Sequence, residues 1–103
     1  MITRREVRVT RRAEAEIRDA AAWWAEHRPA VPGALPEELA RAFELILLHP
    51  KIGAAARNPR LSGVRRILLA RVQYHLYYRV VADPPAIEIL ALWHVRRGSG
   101  PTL

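Results

Sequence analysis

The chain has 103 residues, half of them hydrophobic, with no cysteine and a formal net charge of +7. A chain of this length makes a single domain that hides roughly 60–70% of its unfolded surface, and so high an apolar content excludes a disordered polymer. The lack of cysteine excludes disulfides and thiolate metal sites and suits a reducing cytoplasm. No apolar run approaches the roughly 18 residues of a membrane span, and the opening MITRREVRV does not read as a signal peptide. A cytoplasmic protein without membrane contact is expected.

Residues 6–10 alternate polar and apolar, which predicts a short first strand. Thr10 then stands where a side-chain oxygen can cap a helix over residues 11–27. Ala13, Ile17, Ala20, Ala21 and Trp24 recur on one face of that helix, and Trp23 sits at its rim. Two prolines and a glycine in RPAVPGA break it. A second helix follows, with Pro36 in its first turn, Glu37 and Glu38 at its electropositive end, and Leu39, Phe43, Ile46 and Leu47 along one face. Pro50 stops it. A short loop between two helices predicts an antiparallel helix hairpin. Residues 51–62 read as an irregular basic connection, and residues 98–103 as a frayed tail.

Three apolar runs, residues 64–70, 74–81 and 87–94, are rich in Val, Ile, Leu and Tyr and read as strands. Their links are too short for a parallel crossover, so they form an antiparallel meander. The order is β-α-α-β-β-β, an α+β domain with a helix hairpin on one face of a small antiparallel sheet. Period-two geometry puts Leu76, Tyr78, Val80, Ile87 and Ile89 under the helices. His75, Tyr77 and Arg79 then share an open face, and Glu88, Leu90, Leu92 and His94 form the second alternating set on the last strand.

Charge is distributed unevenly. Residues 1–44 hold eight arginines and eight acids, whereas residues 45–103 hold nine basic residues against Asp83 and Glu88. A positive field on one end favours an anionic partner; a solvated face kept for solubility is the plainer alternative. Arg65 and Arg79 have the guanidinium geometry that clamps phosphate, although strand arginines are also ordinary solvated groups. His75 and His94 can move protons near neutral pH, or simply hold hydrogen bonds. Tyr74, Tyr77 and Tyr78 can stack on bases or fill a core. Arg66, Arg96 and Arg97 complete the cationic set. No phosphate-cradling glycine loop, HExxH pair or His/Asp cluster is present, so no metal or cofactor is expected.

Taken together, these pieces resemble the ParE/RelE toxin superfamily of type II toxin–antitoxin systems. The likeness spans nearly the whole chain: the opening strand and helix, the Leu-rich helix closing on His49-Pro50 with Gly53 after it, Gly63-Val64-Arg65, Tyr74-x-x-Tyr77-Tyr78-Arg79, Ile87-x-Ile89-Leu90 and His94-Val95-Arg96-Arg97. It implies a cognate antitoxin whose partly disordered segment folds along the toxin; Arg65, Arg66, His75, Tyr77, Arg79, His94, Arg96 and Arg97 are the candidate target- or antitoxin-binding residues. It also implies one of two activities. RelE-like members are ribosome-dependent endoribonucleases that cut mRNA without a metal; Arg65, Arg79 and His94 are the residues that would serve here. ParE-like members lack the full cutting set and poison DNA gyrase. No Tyr follows His94, Lys51 is the sole lysine, and the ending HVRR is similar to ParE-like chains. The ParE-like reading is therefore favoured, with the ribonuclease and an inactive, antitoxin-binding scaffold as alternatives.

Overall fold

The computed structural model describes residues 5–103. Its elements are β1 (Glu6–Val9), α1 (Arg11–His27), α2 (Ala34–Leu48), β2 (Ala54–Ala55), β3 (Arg65–Leu69), β4 (Tyr74–Ala82) and β5 (Pro85–His94), followed by a 3-10 turn at Val95–Arg97. This is the expected order with one addition, the two-residue β2. The five strands form one sheet in the order β1-β5-β4-β3-β2. The meander β3–β4–β5 is antiparallel, and β1 joins β5 in parallel, Val7 opposite Ile87.

Local chemistry fixes the helix ends. Thr10 Oγ1 accepts from Ala13 N–H at 3.1 Å, so one of the free amides of α1's first turn is satisfied by the expected cap. Trp24 is buried and its indole N–H donates to Val31 O at 2.8 Å, which fixes the loop between the helices. Glu38 serves more than the helix dipole. It is buried, and its carboxylate accepts from Arg71 N–H at 3.0 Å, while Glu37 pairs with the Arg71 guanidinium at 3.0 Å. The first turn of α2 thereby holds the β3–β4 hairpin, in which Gln73 takes a positive φ of 62° and Val72 is buried.

The main core lies between the helices and one face of the sheet. Ala13, Ala20, Trp24, Leu35, Leu39 and Ile46 pack there on Leu69, Leu76, Tyr78, Ile87, Ile89 and Leu92. Fully burying each large side chain contributes about 1.5–3 kcal/mol. The predicted helix-side set, Leu76, Tyr78, Val80, Ile87 and Ile89, is in this cluster, with Val80 partly buried. Ala21, expected on the buried stripe, is exposed, and so is Leu47.

The far face departs from expectation. Tyr77 pairs with Ala91 but Tyr78 pairs with Ile89, so Leu90 is one residue extra on β5. A bulge of this kind flips every later side chain to the opposite face. Leu90 and Ala91 consequently both join Tyr77 and Val64 in a second cluster, while Leu92 goes under the helices instead of staying with Leu90. Ala56, Leu61, Trp93 and Leu103 pack against this second cluster. The far face is thus partly covered rather than open. Nor is the tail frayed over residues 98–103: Pro101 is buried, Ser99 O accepts from the Trp93 indole at 3.1 Å, and Thr102 O accepts from Arg12.

A buried hydroxyl closes the fold at the end of α2. Tyr78 Oη donates to Pro50 O at 2.8 Å and accepts from Gly53 N–H at 2.9 Å. A Cβ on Gly53 would sit 2.7 Å from that hydroxyl and 2.9 Å from Arg66 O. Tyr78→Phe strands two buried backbone groups and should lower unfolding free energy by about 2 kcal/mol, read by urea denaturation. Gly53→Ala should cost about as much through overpacking; a loss under about 0.5 kcal/mol for both variants would mean that this contact does not hold the loop.

Candidate functional site

Sheet register decides where the candidate groups lie. Arg65 is directly opposite Tyr78, a helix-side residue, whereas Arg79 follows Tyr78 in the chain and is opposite Glu88. Alternation therefore places Arg65 and Arg79 on opposite faces of the sheet, and the shared clamp expected of them is not formed. Each also has a partner of its own. Arg65 Nη1 donates to Gly53 O at 2.7 Å and Lys51 O at 3.2 Å, which pins the loop that Tyr78 holds from below. Arg79 Nε pairs with a Glu88 carboxylate oxygen at 2.8 Å, both side chains about a quarter to a third exposed.

His94 is a second correction. Past the bulge it stands opposite Tyr74 on the helix side, its ring edge-on to the phenol with centroids 5.0 Å apart. Its Nδ1 accepts from Arg96 N–H at 3.1 Å and so caps the 3-10 turn. It shares a cleft with Glu16, Asp19 and Trp23 of α1, on the face away from Arg79. Burial pushes the Tyr74 phenol up in pKa, and the Arg97 charge offsets part of that rise. Arg97 lies 3.7 Å above the centre of the Trp93 ring, a close cation–π contact, and Arg96 is exposed.

Arg66 of β3 and His75, Tyr77 and Arg79 of β4 do share the far face. Tyr77 is only 4% exposed, beneath the tail, with its hydroxyl 3.4 Å from Arg66 Nη1. His75 lies edge-on to Tyr77 with ring centroids 6.3 Å apart. No group of three or more His, Cys, Asp or Glu side chains suited to a metal occurs among the described residues. The sequence places Glu38 in a first helical turn and Trp93 at an apolar strand end, and neither position carries a signal for the contact with Arg71 N–H or with the tail. Sequence reasoning missed Arg57, although the basic loop that carries it was marked.

Burial, and after it the Arg66 charge, lowers the His75 pKa from its ordinary 6.5. Above 6.5 the ring is neutral in both folded and unfolded chains and contributes no pH dependence. As pH falls below 6.5 the unfolded chain takes up the proton first, so stability decreases until the folded pKa is passed. Arg66→Gln removes the smaller cause and should move the His75 midpoint upward in an NMR titration of the ring protons. A midpoint unchanged in the variant would show that the guanidinium does not act on the ring.

Comparison with known proteins places this geometry in a family. Residues 7–98 match the model of the ParE toxin of the type II toxin–antitoxin system, parDE. Among solved structures, the fold is similar to that of a chromosomal ParDE TA system from P. aeruginosa, at 19% identity and a TM-score of 0.69, covering 89% of this chain and 97% of that one. It is similar also to the E. coli toxin RelE, a mutant in the free state, at 18% identity and a TM-score of 0.62, covering 93% and 88%. No curated protein matches the sequence significantly. At these identities the structural likeness is one of fold; the family match over residues 7–98 goes further, and by it the chain belongs to the ParE toxins of type II toxin–antitoxin systems.

Proposed function

We propose that this toxin inhibits DNA gyrase without chemistry of its own and is neutralised by a cognate antitoxin. The observation that carries this reading is the dispersal of the would-be cutting groups. In-line attack by a 2′-hydroxyl needs a proton-moving group and a free cation around one phosphate. Here His94 lies under α1, Arg65 holds backbone carbonyls, and Arg79 is matched by Glu88. The far-face imidazole, His75, does lie near Arg66, but burial and that charge lower its pKa and leave less of it protonated to act as a donor. The match to the ParE model supports the same target class.

Purified protein should block gyrase-driven supercoiling of plasmid DNA, and mRNA ends in a reconstituted translation mixture should be unaltered. New mRNA ends, with supercoiling unimpaired, would reverse the assignment. His94→Ala should inhibit supercoiling within about twofold of the parent chain, because its ring serves the local turn.

For the antitoxin, the favoured surface is the cleft at the end of α2. Leu48 and Ile52 are 73% and 46% exposed and supply apolar anchor points for a partner. Together with Val80 they line a cleft of about 610 Å³ that also carries Arg5 and Lys51. Apolar anchors beside cations fit an acidic amphipathic segment. Leu48→Asp should weaken antitoxin binding about tenfold or more in a titration, with the circular dichroism of the toxin unchanged. Equal affinity for parent and variant would move the antitoxin elsewhere. Arg79→Glu is a poor probe of the same complex, because it sets two carboxylates together on the sheet.

A further inference from the structure

The far face holds one more feature, separate from the gyrase reading and not dependent on it. Residues 55–59 and 100–103 wall a cleft of about 400 Å³ above Arg66 and Tyr77. That volume lies within the range of small-molecule sites, roughly 300–1,000 Å³. We propose that this cleft binds a phosphate-bearing small molecule of mononucleotide size.

Charge is the first argument. Arg57 and Arg66 both line the cleft, no acidic side chain does, and neither guanidinium has a carboxylate partner among the described residues. The nearby acid on this face, Glu88, is already engaged by Arg79. Two guanidinium groups and a phenol hydroxyl lining one cleft are a donor set for a phosphate terminus, which accepts several charge-assisted hydrogen bonds.

Preorganisation is the second. Asn58 Oδ1 accepts from Arg60 N–H at 2.9 Å and Leu61 N–H at 3.1 Å, which sets the turn of one wall. Ala56 N–H donates to Val64 O at 2.8 Å and ties that wall to the sheet. The other wall is seated by Pro101, which is buried, and by Gly100, where a Cβ would come within 2.8 Å of Tyr77 Oη. Walls fixed before binding lower the ordering cost of a ligand. Ala55, Pro59 and Leu103 add apolar surface against which a base or sugar can rest. Because the tail closes one side, a compact ligand fits better than a continuous nucleic-acid strand, which would have to displace it.

The test is direct binding to the full chain at low ionic strength, independent of toxicity or gyrase inhibition. Pyrophosphate and adenosine 5′-monophosphate should each saturate and shift the amide signals of residues 55–59 and 100–103 in NMR spectra. Adenosine should bind at least about tenfold more weakly than the monophosphate. Arg57→Gln and Arg66→Gln should each weaken both ligands about fivefold or more, with Arg41→Gln, exposed on α2, as the unaffected control. Absence of saturation by about 10 mM, or equal loss in the control, would overturn the site. So would tighter binding, abolished by the same two variants, of an oligonucleotide without terminal phosphates; that result would make the cleft a strand-binding surface.

Discussion

A single extra residue in β5 governs which way the second half of that strand faces. With Leu90 bulged between the Tyr77–Ala91 and Tyr78–Ile89 pairs, the two halves of the strand present opposite registers. Before it, Ile87 and Ile89 face the helices; after it, Leu92 and His94 do. Trp93 is sent to the far face, where it receives the tail and the Arg97 guanidinium. Without the bulge, Leu92 would face away from α1 and Trp93 would have to fit beneath it. The second small core and the docked tail both follow from this one insertion.

The bulge also explains how much of the molecule could be read in advance. The order of elements, the Thr10 cap, the antiparallel meander and the helix-side set Leu76, Tyr78, Ile87 and Ile89 all follow from strong local patterns. On the last strand both alternating sets are apolar, Leu90 and Leu92 against Ala91 and Trp93, so no polar residue reports the change of register. Period two then carries the wrong phase to His94. Arg65 illustrates a different limit. Its backbone acceptors, Gly53 O and Lys51 O, lie more than ten residues away in a loop whose path no periodicity describes. The parallel placement of β1 depends on a crossover through the whole domain, and nothing local to residues 6–9 encodes it.

Arginine does unlike jobs here, which a count of net charge conceals. Arg65 and Arg12 reach carbonyl oxygens, Arg71 and Arg79 reach carboxylates, and Arg97 covers an indole ring. Among the described residues Arg5, Arg11, Arg41, Arg57, Arg60, Arg66 and Arg96 have none of these contacts, and of them Arg57 and Arg66 line the cleft beside Tyr77. Surface ion pairs such as Arg18–Glu14 add only about 0.3–0.5 kcal/mol. The buried hydroxyl of Tyr78 and the carboxylate of Glu38 matter more to the architecture, because each satisfies main-chain groups at least partly shielded from water.

The pairing of β1 with β5 joins residues 6–9 to residues 86–89, nearly the full length of the chain apart. Contacts so distant in sequence form late, since the intervening polymer must be brought to order first. During synthesis from the amino end, α1 and α2 leave the ribosome with no sheet to cover, because their apolar stripes rest on strands made afterwards. A nascent copy therefore acquires its finished surface only after β5 has emerged. Up to that moment its exposed helical stripes are open to chaperones, or to any pre-existing protein shaped to receive them.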